Sequence, residues 1–390
     1  MKNADRFLTS TAGILMCMVA ASSALADDPA HNRYDVTKLT SDIAGQAKNT
    51  DAVLQNAWGV AFTPGASPFW IADNATGCST LYDGAGVPQP VTQPPNPLRV
   101  KIPLPGNIVP STACKPVNPN NPPSPTPAAP TGMVWNPSAT FLVPGTNIAA
   151  VFIWATENGT ISAWAPTLSD TSHAVEAVNN SPSAVYKGLV FGTNVHGVFL
   201  YATDFRGGKI DVFAGNGSAG FRQANSTEIP GSFSDPTLPA GFAPFGIQNI
   251  NGNLFVTYAL QDAAKHDDLA SPGNGFVDVY DTDGNLLQRF ASRRPLNSPW
   301  GVTRASFAFG QFSGDVLVGN FGDGQINAFD SDGNFRGTLR DGKGKPIAID
   351  GLWTLTLGGG RNSNSDTLYF TAGPNGEADG LFGTITPSAE

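Results

Sequence analysis

The sequence predicts an all-β chain: a six-bladed β-propeller of four-stranded antiparallel blades, its ring closed by an N-terminal strand. Three observations carry this expectation. The chain has 44 Gly and 32 Pro but only 14% charged residues, which suits many short strands joined by tight turns. One hairpin recurs: LYATDFRGGKIDVF (200–213) returns as LVGNFGDGQINAF (317–329), with Phe205 over Phe321, Gly208 over Gly324 and Phe213 over Phe329. Two signatures flank it, a Trp-Gly or Phe-Gly pair ahead (AWGVAF, PFGIQN, PWGVTR) and an Asp-Gly hairpin behind (FVDVYDTDGNLLQRF, QINAFDSDGNFRGTL). Four strands in this order, repeating about every 40–50 residues, are the sign of a propeller blade.

Taken in order, the blades begin near Asn56, Gly132, Tyr186, Pro244, Pro299 and Gly351. In the first, FWIADNATGCSTLY places Asp73, Gly77 and Tyr82 under Asp204, Gly208 and Phe213. In the second, FIWATENGTISAW has a turn two residues shorter, with Glu157 in the acid's place. RYDVTKLTSDI (33–43) alternates like a strand and should pair with the last blade, because an open ring leaves sheet edges unpaired. The DTDGN and DSDGN turns lack the third alternating acid and closing Glu of a calcium loop and read as type I′ hairpins.

Residues 1–26 have Lys2 and Arg6 in a polar start, an apolar stretch from about Ala12 to Ala21, and Ala24-Leu25-Ala26. They read as a signal peptide cleaved after Ala26, too short for a membrane span. The remaining 27–387 form one propeller, soluble, monomeric, and periplasmic or extracellular. Cys78 and Cys114 are then left and are expected to form a disulfide, against the alternative of two free thiols. Residues 88–130 hold 15 prolines; from 106 to 130 an extended loop is expected, either a tolerated insertion or a lid. The net charge of −9 and the lack of a basic cluster argue against nucleic acid and anionic membranes.

Up-and-down order puts the starts of the inner strands and the turns between second and third strands on one face. A funnel there would gather Asp73, Glu157, Asp204, Asp262 and Asn320 from the turns, with Arg206 beside them. The inner strands and their approaches would add Asn56, Trp58, Tyr186, Lys187, Trp300, Asp350 and Trp353 as ligand-binding residues. Each has a plainer reading: an acid in a glycine turn often caps local backbone, and Trp-Gly pairs can be core packing at a crowded axis. His266 and Asp267 follow the blade-four turn and could overhang the funnel, although such stretches are usually solvated loops. No G-x-S-x-G elbow, H-E-x-x-H, Walker loop or C-x-x-C-H occurs.

Over roughly residues 35–387, NAWGVAF, ATENGTISAW, YKGL, LYATDFRGGKIDVF, LNSPWGV, LVGNFGDGQINAF, IDGLW and LYFTAGPNGEADGLFG resemble an exported bacterial family of six-bladed propellers related to NHL-repeat proteins. That resemblance implies a fold and an export route but no reaction. A more distant architectural similarity is to gluconolactonase-type propellers, which hold one divalent ion at the channel mouth with carboxylates and amides. Fold alone does not transfer that chemistry.

Two functions follow. The first is an exported recognition propeller holding a small molecule, glycan or protein segment in its funnel. The second is a divalent-metal-dependent hydrolase, lactonase- or phosphoesterase-like, with Glu157, Asp204 and Asn320, then Asp73 and Asp262, around calcium and Asp204 moving a proton. A structural surface protein is the remaining alternative.

Overall fold

The computed structural model describes residues 31–65, 67–89 and 97–389; the expected signal peptide lies outside them. Among the described residues six sheets follow the chain, each one blade and antiparallel, except that the last carries a short parallel pairing of Asn49–Thr50 with Thr40 and Ser41 at its outer edge. The inner strands are Ala57–Ala61, Pro130–Trp135, Tyr186–Asn194, Phe242–Ile250, Pro299–Arg304 and Leu352–Leu357. In the last blade Leu381–Pro387 pairs antiparallel with Tyr34–Ser41, so the N-terminal strand closes the ring as anticipated. Apolar clusters fill the spaces between blades, one of them joining Tyr34 to the blade-five residues Leu317, Ile326 and Leu339.

A local irregularity repeats around the ring. In every blade the pairing of the inner strand slips near its start: between Ala57 and Val60, Pro130 and Met133, Tyr186 and Gly188, Pro244 and Ile247, Pro299 and Val302, and Leu352 and Leu355. Such bulges re-aim a side chain. The residues at the slip are Trp58, Thr131, Lys187, Phe245, Trp300 and Trp353, and five of the six are followed by glycine. The reason is close approach: a Cβ on Gly59 would stand 2.5 Å from the Thr131 carbonyl oxygen, and one on Gly301 2.4 Å from that of Trp353. In blade six the position is Thr354, whose hydroxyl donates to the Trp58 carbonyl at 2.7 Å.

The DTDGN and DSDGN segments are hairpins, but not of type I′. Only Gly284 and Gly333 have positive φ in them, and the Asp281 and Asp330 carboxylates accept from the backbone N–H groups of their own turns. They are type I turns followed by a left-handed glycine, a shape that the aspartate cap favours. The stretch 106–129 contains no named strand, as expected. It is tied down by the Cys78–Cys114 disulfide and by Gln55, which exchanges two hydrogen bonds with Val117.

Candidate functional site

We call the face where the inner strands begin proximal and the opposite one distal. Just below the proximal face the channel is plugged by aromatic rings. Trp58 stacks on Trp353 at 3.5 Å between centroids, Trp300 stands edge-on to both, and Phe321 stacks on Trp353 at 4.1 Å. Phe205 and Phe245 complete the cluster. Trp58 and Trp353 are each 1% exposed, so these indoles are core packing and present no stacking surface at the proximal face.

Lys187 is the one ionisable residue among the six at the bulges. Its ammonium lies 5.3 Å from the centroid of Trp58 and 5.9 Å from that of Phe205, cation–π distances. It is 2% exposed, pairs with Glu157 of blade two, and lies 3.3 Å from Asp267 of the blade-four loop. His266 Nδ1 stands 2.8 Å from the same Asp267 oxygen. Burial pulls the Lys187 pKa down, but Glu157 and Asp267 outweigh it and hold the amine charged.

Amides extend the cluster to blades one and six. Asn74 donates to Glu157 Oε2 at 3.0 Å, and Asn56 donates to Asn74 Oδ1 at 3.2 Å and to Glu377 Oε2 at 2.6 Å. Trp353 Nε1 donates to Asn56 Oδ1 at 3.0 Å, fixing which way that amide points. Burial, reinforced by the negative charge of Glu157, raises the Glu377 pKa to about 7. Glu377 also has a left-handed backbone, φ 68°, which costs a non-glycine residue about 1–2 kcal/mol. Such strain persists where surrounding contacts over-determine it.

The remaining candidates lie apart. Asp204 is buried and accepts from the N–H groups of Val185 and Gly207, the capping role of an acid in a glycine turn. Asp73 is fully buried within blade one, and burial drives its pKa well above the carboxylate range against the pull of Thr80. Asp262 caps its own loop at His266 and Asp267, and Asn320 donates to Pro295 and Asp323. Tyr186 bonds Asp211, Arg206 bonds the Pro182 carbonyl, and Asp350 accepts from the Asn375 N–H. The expected ring of Glu157, Asp204, Asn320, Asp73 and Asp262 around one ion is therefore not assembled. Among the described residues the one set of three or more His, Cys, Asp or Glu with donor atoms within 4.8 Å of one another is Glu157, His266 and Asp267.

The register explains the difference. Asp73, Thr156, Asp204 and Asn320 each end the second strand of their blade, so Glu157 lies one position later than the acids. Its true equivalents are Asn74, Phe205, Phe321 and Gly373. All five donate their N–H to the carbonyl just before an inner strand: Asn74 to Asn56, Glu157 to Ala129, Phe205 to Val185, Phe321 to Ser298 and Gly373 to Gly351. This later position reaches the axis, supplying Phe205 and Phe321 to the plug and Asn74 and Glu157 to the ion cluster. In the sequence the signal was the residue after the conspicuous acid.

Fold and site together define a six-bladed propeller with a carboxylate-rich ion cluster above an aromatic plug. No family model matches the chain. It is 29% identical to uncharacterised protein R648 of Acanthamoeba polyphaga mimivirus over 90% of this chain and 80% of that one, and 30% identical to protein L690 of the same virus over 90% and 85%. The chain belongs to the family of these mimivirus proteins, which do not support the bacterial origin that the resemblance implied. Among solved structures it is similar to a streptogramin B lyase (13% identity, TM-score 0.49, covering 91% of this chain and 98% of that one). It is also similar to the gluconolactonase XC5397 of Xanthomonas campestris (12%, 0.46, 86% and 88%). Likenesses at this level lend neither chemistry to this chain.

Proposed function

We propose that this chain is an exported recognition propeller whose proximal face binds a small molecule, glycan or protein segment presenting positive charge. The observation that supports this reading best is the imbalance around Lys187. One buried ammonium faces Glu157, Asp267 and, through the amide chain, Glu377. Burial raises the Glu377 pKa and the negative charge of Glu157 adds to it, and a ligand cation would relieve that second part. The Cys78–Cys114 disulfide fits an oxidising compartment, in keeping with export. A secreted chain beginning at Asp27 by mass spectrometry would support export with cleavage after Ala26, and soluble protein retained in the cell with Met1 intact would overturn it.

Thermal melts with matched ligands test the binding reading. Spermidine, glucosamine oligomers and a lysine-rich peptide should raise the melting temperature, and glucose oligomers should not. The shift should shrink in Glu157→Gln and Asp267→Asn. Stabilisation by neutral ligands alone, or equal shifts in those variants, would overturn it.

The grouping of Glu157, His266 and Asp267 favours a second reading, the metal-dependent hydrolase. These residues would hold the ion, which would polarise a substrate oxygen. Lys187 already pairs with both carboxylates, so an ion would have to displace it. Melts in EDTA and then in calcium decide: a calcium-dependent rise in the wild type supports the hydrolase, and an unchanged curve removes it.

A further inference from the structure

The distal half of the channel has the opposite chemistry. Below the plug lies a cavity of about 490 Å³, within the size range of small-molecule sites. Every blade lines it with an aliphatic residue at the same register, one position past the Gly59-type glycine: Val60, Met133, Leu189, Ile247, Val302 and Leu355. Trp300 belongs both to the plug and to the cavity lining. No ionisable residue lines the cavity among the described residues, and the distal first-to-second turns of blades one, two and four carry no charge. One polar anchor is available: Gln248 lines the cavity, its carbonyl accepts from the Asn249 N–H, and its amide nitrogen has no partner among the described residues.

We propose that this distal cavity is a second binding site, taking an uncharged, mostly apolar molecule of one or two rings with an acceptor facing Gln248. A ring of six blades leaves a channel along its axis, and the distal half of this one is lined mainly by apolar residues. Five of the six aliphatic side chains are already packed between blades, so the apolar area open to a ligand comes from the partly exposed Val60, Phe62, Val134, Trp135 and Phe191, and a charged ligand would lose its hydration with nothing to replace it. The site goes beyond the proximal reading and does not depend on it.

N-Phenyl-1-naphthylamine, a neutral fluorophore, and 1-anilinonaphthalene-8-sulfonate, the same ring system with a sulfonate, form a matched probe pair. The neutral probe should bind the full chain saturably with one site, quench tryptophan emission, and bind at least about tenfold more tightly than the sulfonate. Val60→Phe and Val134→Phe, which narrow the cavity, should each weaken it at least about tenfold with the melting temperature little changed. Should both variants unfold, the comparison of the two probes on the wild type decides alone. The proposal is overturned by no saturable rise in emission, by sulfonate binding as tight as neutral, or by unchanged binding in folded Val60→Phe. Loss of binding on replacing the exposed distal Phe307 by Ser would also overturn it, because the probe would then sit on the surface.

Discussion

Glu157 and Lys187 belong to adjacent blades, and their ion pair joins those blades directly beneath the proximal face. Asp267 and the Asn74–Asn56–Glu377 chain connect the pair to blades four, one and six. The pair thus ties the ring together and stands at the centre of the candidate site, and mutation can test the two separately.

Lys187→Met should destabilise the fold by about 3 kcal/mol in urea titrations, because it leaves Glu157 without a counter-charge. Adding Glu157→Leu should recover most of that loss, since a buried pair replaced by apolar groups is often neutral. If the double variant is as unstable as the single one, the ion pair is not what Lys187 contributes.

Glu377 sets a pH dependence of known sign. Its folded pKa, about 7, lies above the ordinary 4.5, so between those values the folded state binds more protons than the unfolded one. Stability therefore falls as pH rises through that window, and the penalty is full above about pH 7. Asp278, raised by burial to about 6, acts in the same direction. Melts from about pH 4.5 to 8 should show a shallower decline in Glu377→Gln than in the wild type. Equal slopes would contradict the assignment.

Opening the Cys78–Cys114 bond, 36 residues apart in sequence, should lower stability by roughly 3–4 kcal/mol on chain-entropy grounds. Hydrogen exchange should rise first around Cys114 and Val117, where the proline-rich strap bonds Thr76 and Gln55. Uniform exchange along the ring would contradict a local tether.

The fold was legible because propellers repeat. The inner-strand glycines and the closing N-terminal strand follow from spacing and from edges that must be covered, and the cysteine pair from the two cysteines that an exported chain keeps beyond its leader. The site was legible only in part. Asn56, Lys187 and Glu157 do meet at the proximal face, but an acid in a glycine turn reads the same whether it caps or faces the axis. Asp204 caps because Gly207 and Val185 offer N–H groups. In blade two the hydroxyl of Thr156 accepts from the turn instead, and Glu157 is left to reach Lys187. Asp267 comes from a loop whose path no periodicity specifies.

The close approach at the axis also has a direct test. Gly301→Ala should cost about 1–3 kcal/mol by overpacking against the Trp353 carbonyl. Gly342→Ala, where an added Cβ meets nothing within 4 Å, should leave stability nearly unchanged. Equal stabilities for the two variants by urea titration would contradict the crowding around the ring.

Calorimetric titration of spermidine near pH 7, in two buffers of different ionisation enthalpy, tests the central claim most directly. A cation arriving beside Glu377 lowers its pKa, so binding should release a proton, visible as a buffer-dependent heat. Glu377→Gln should bind without that release, and Glu157→Gln with Asp267→Asn should lose at least about tenfold in affinity. No binding, or the same affinity and proton release in all three proteins, would contradict recognition at the Lys187 cluster.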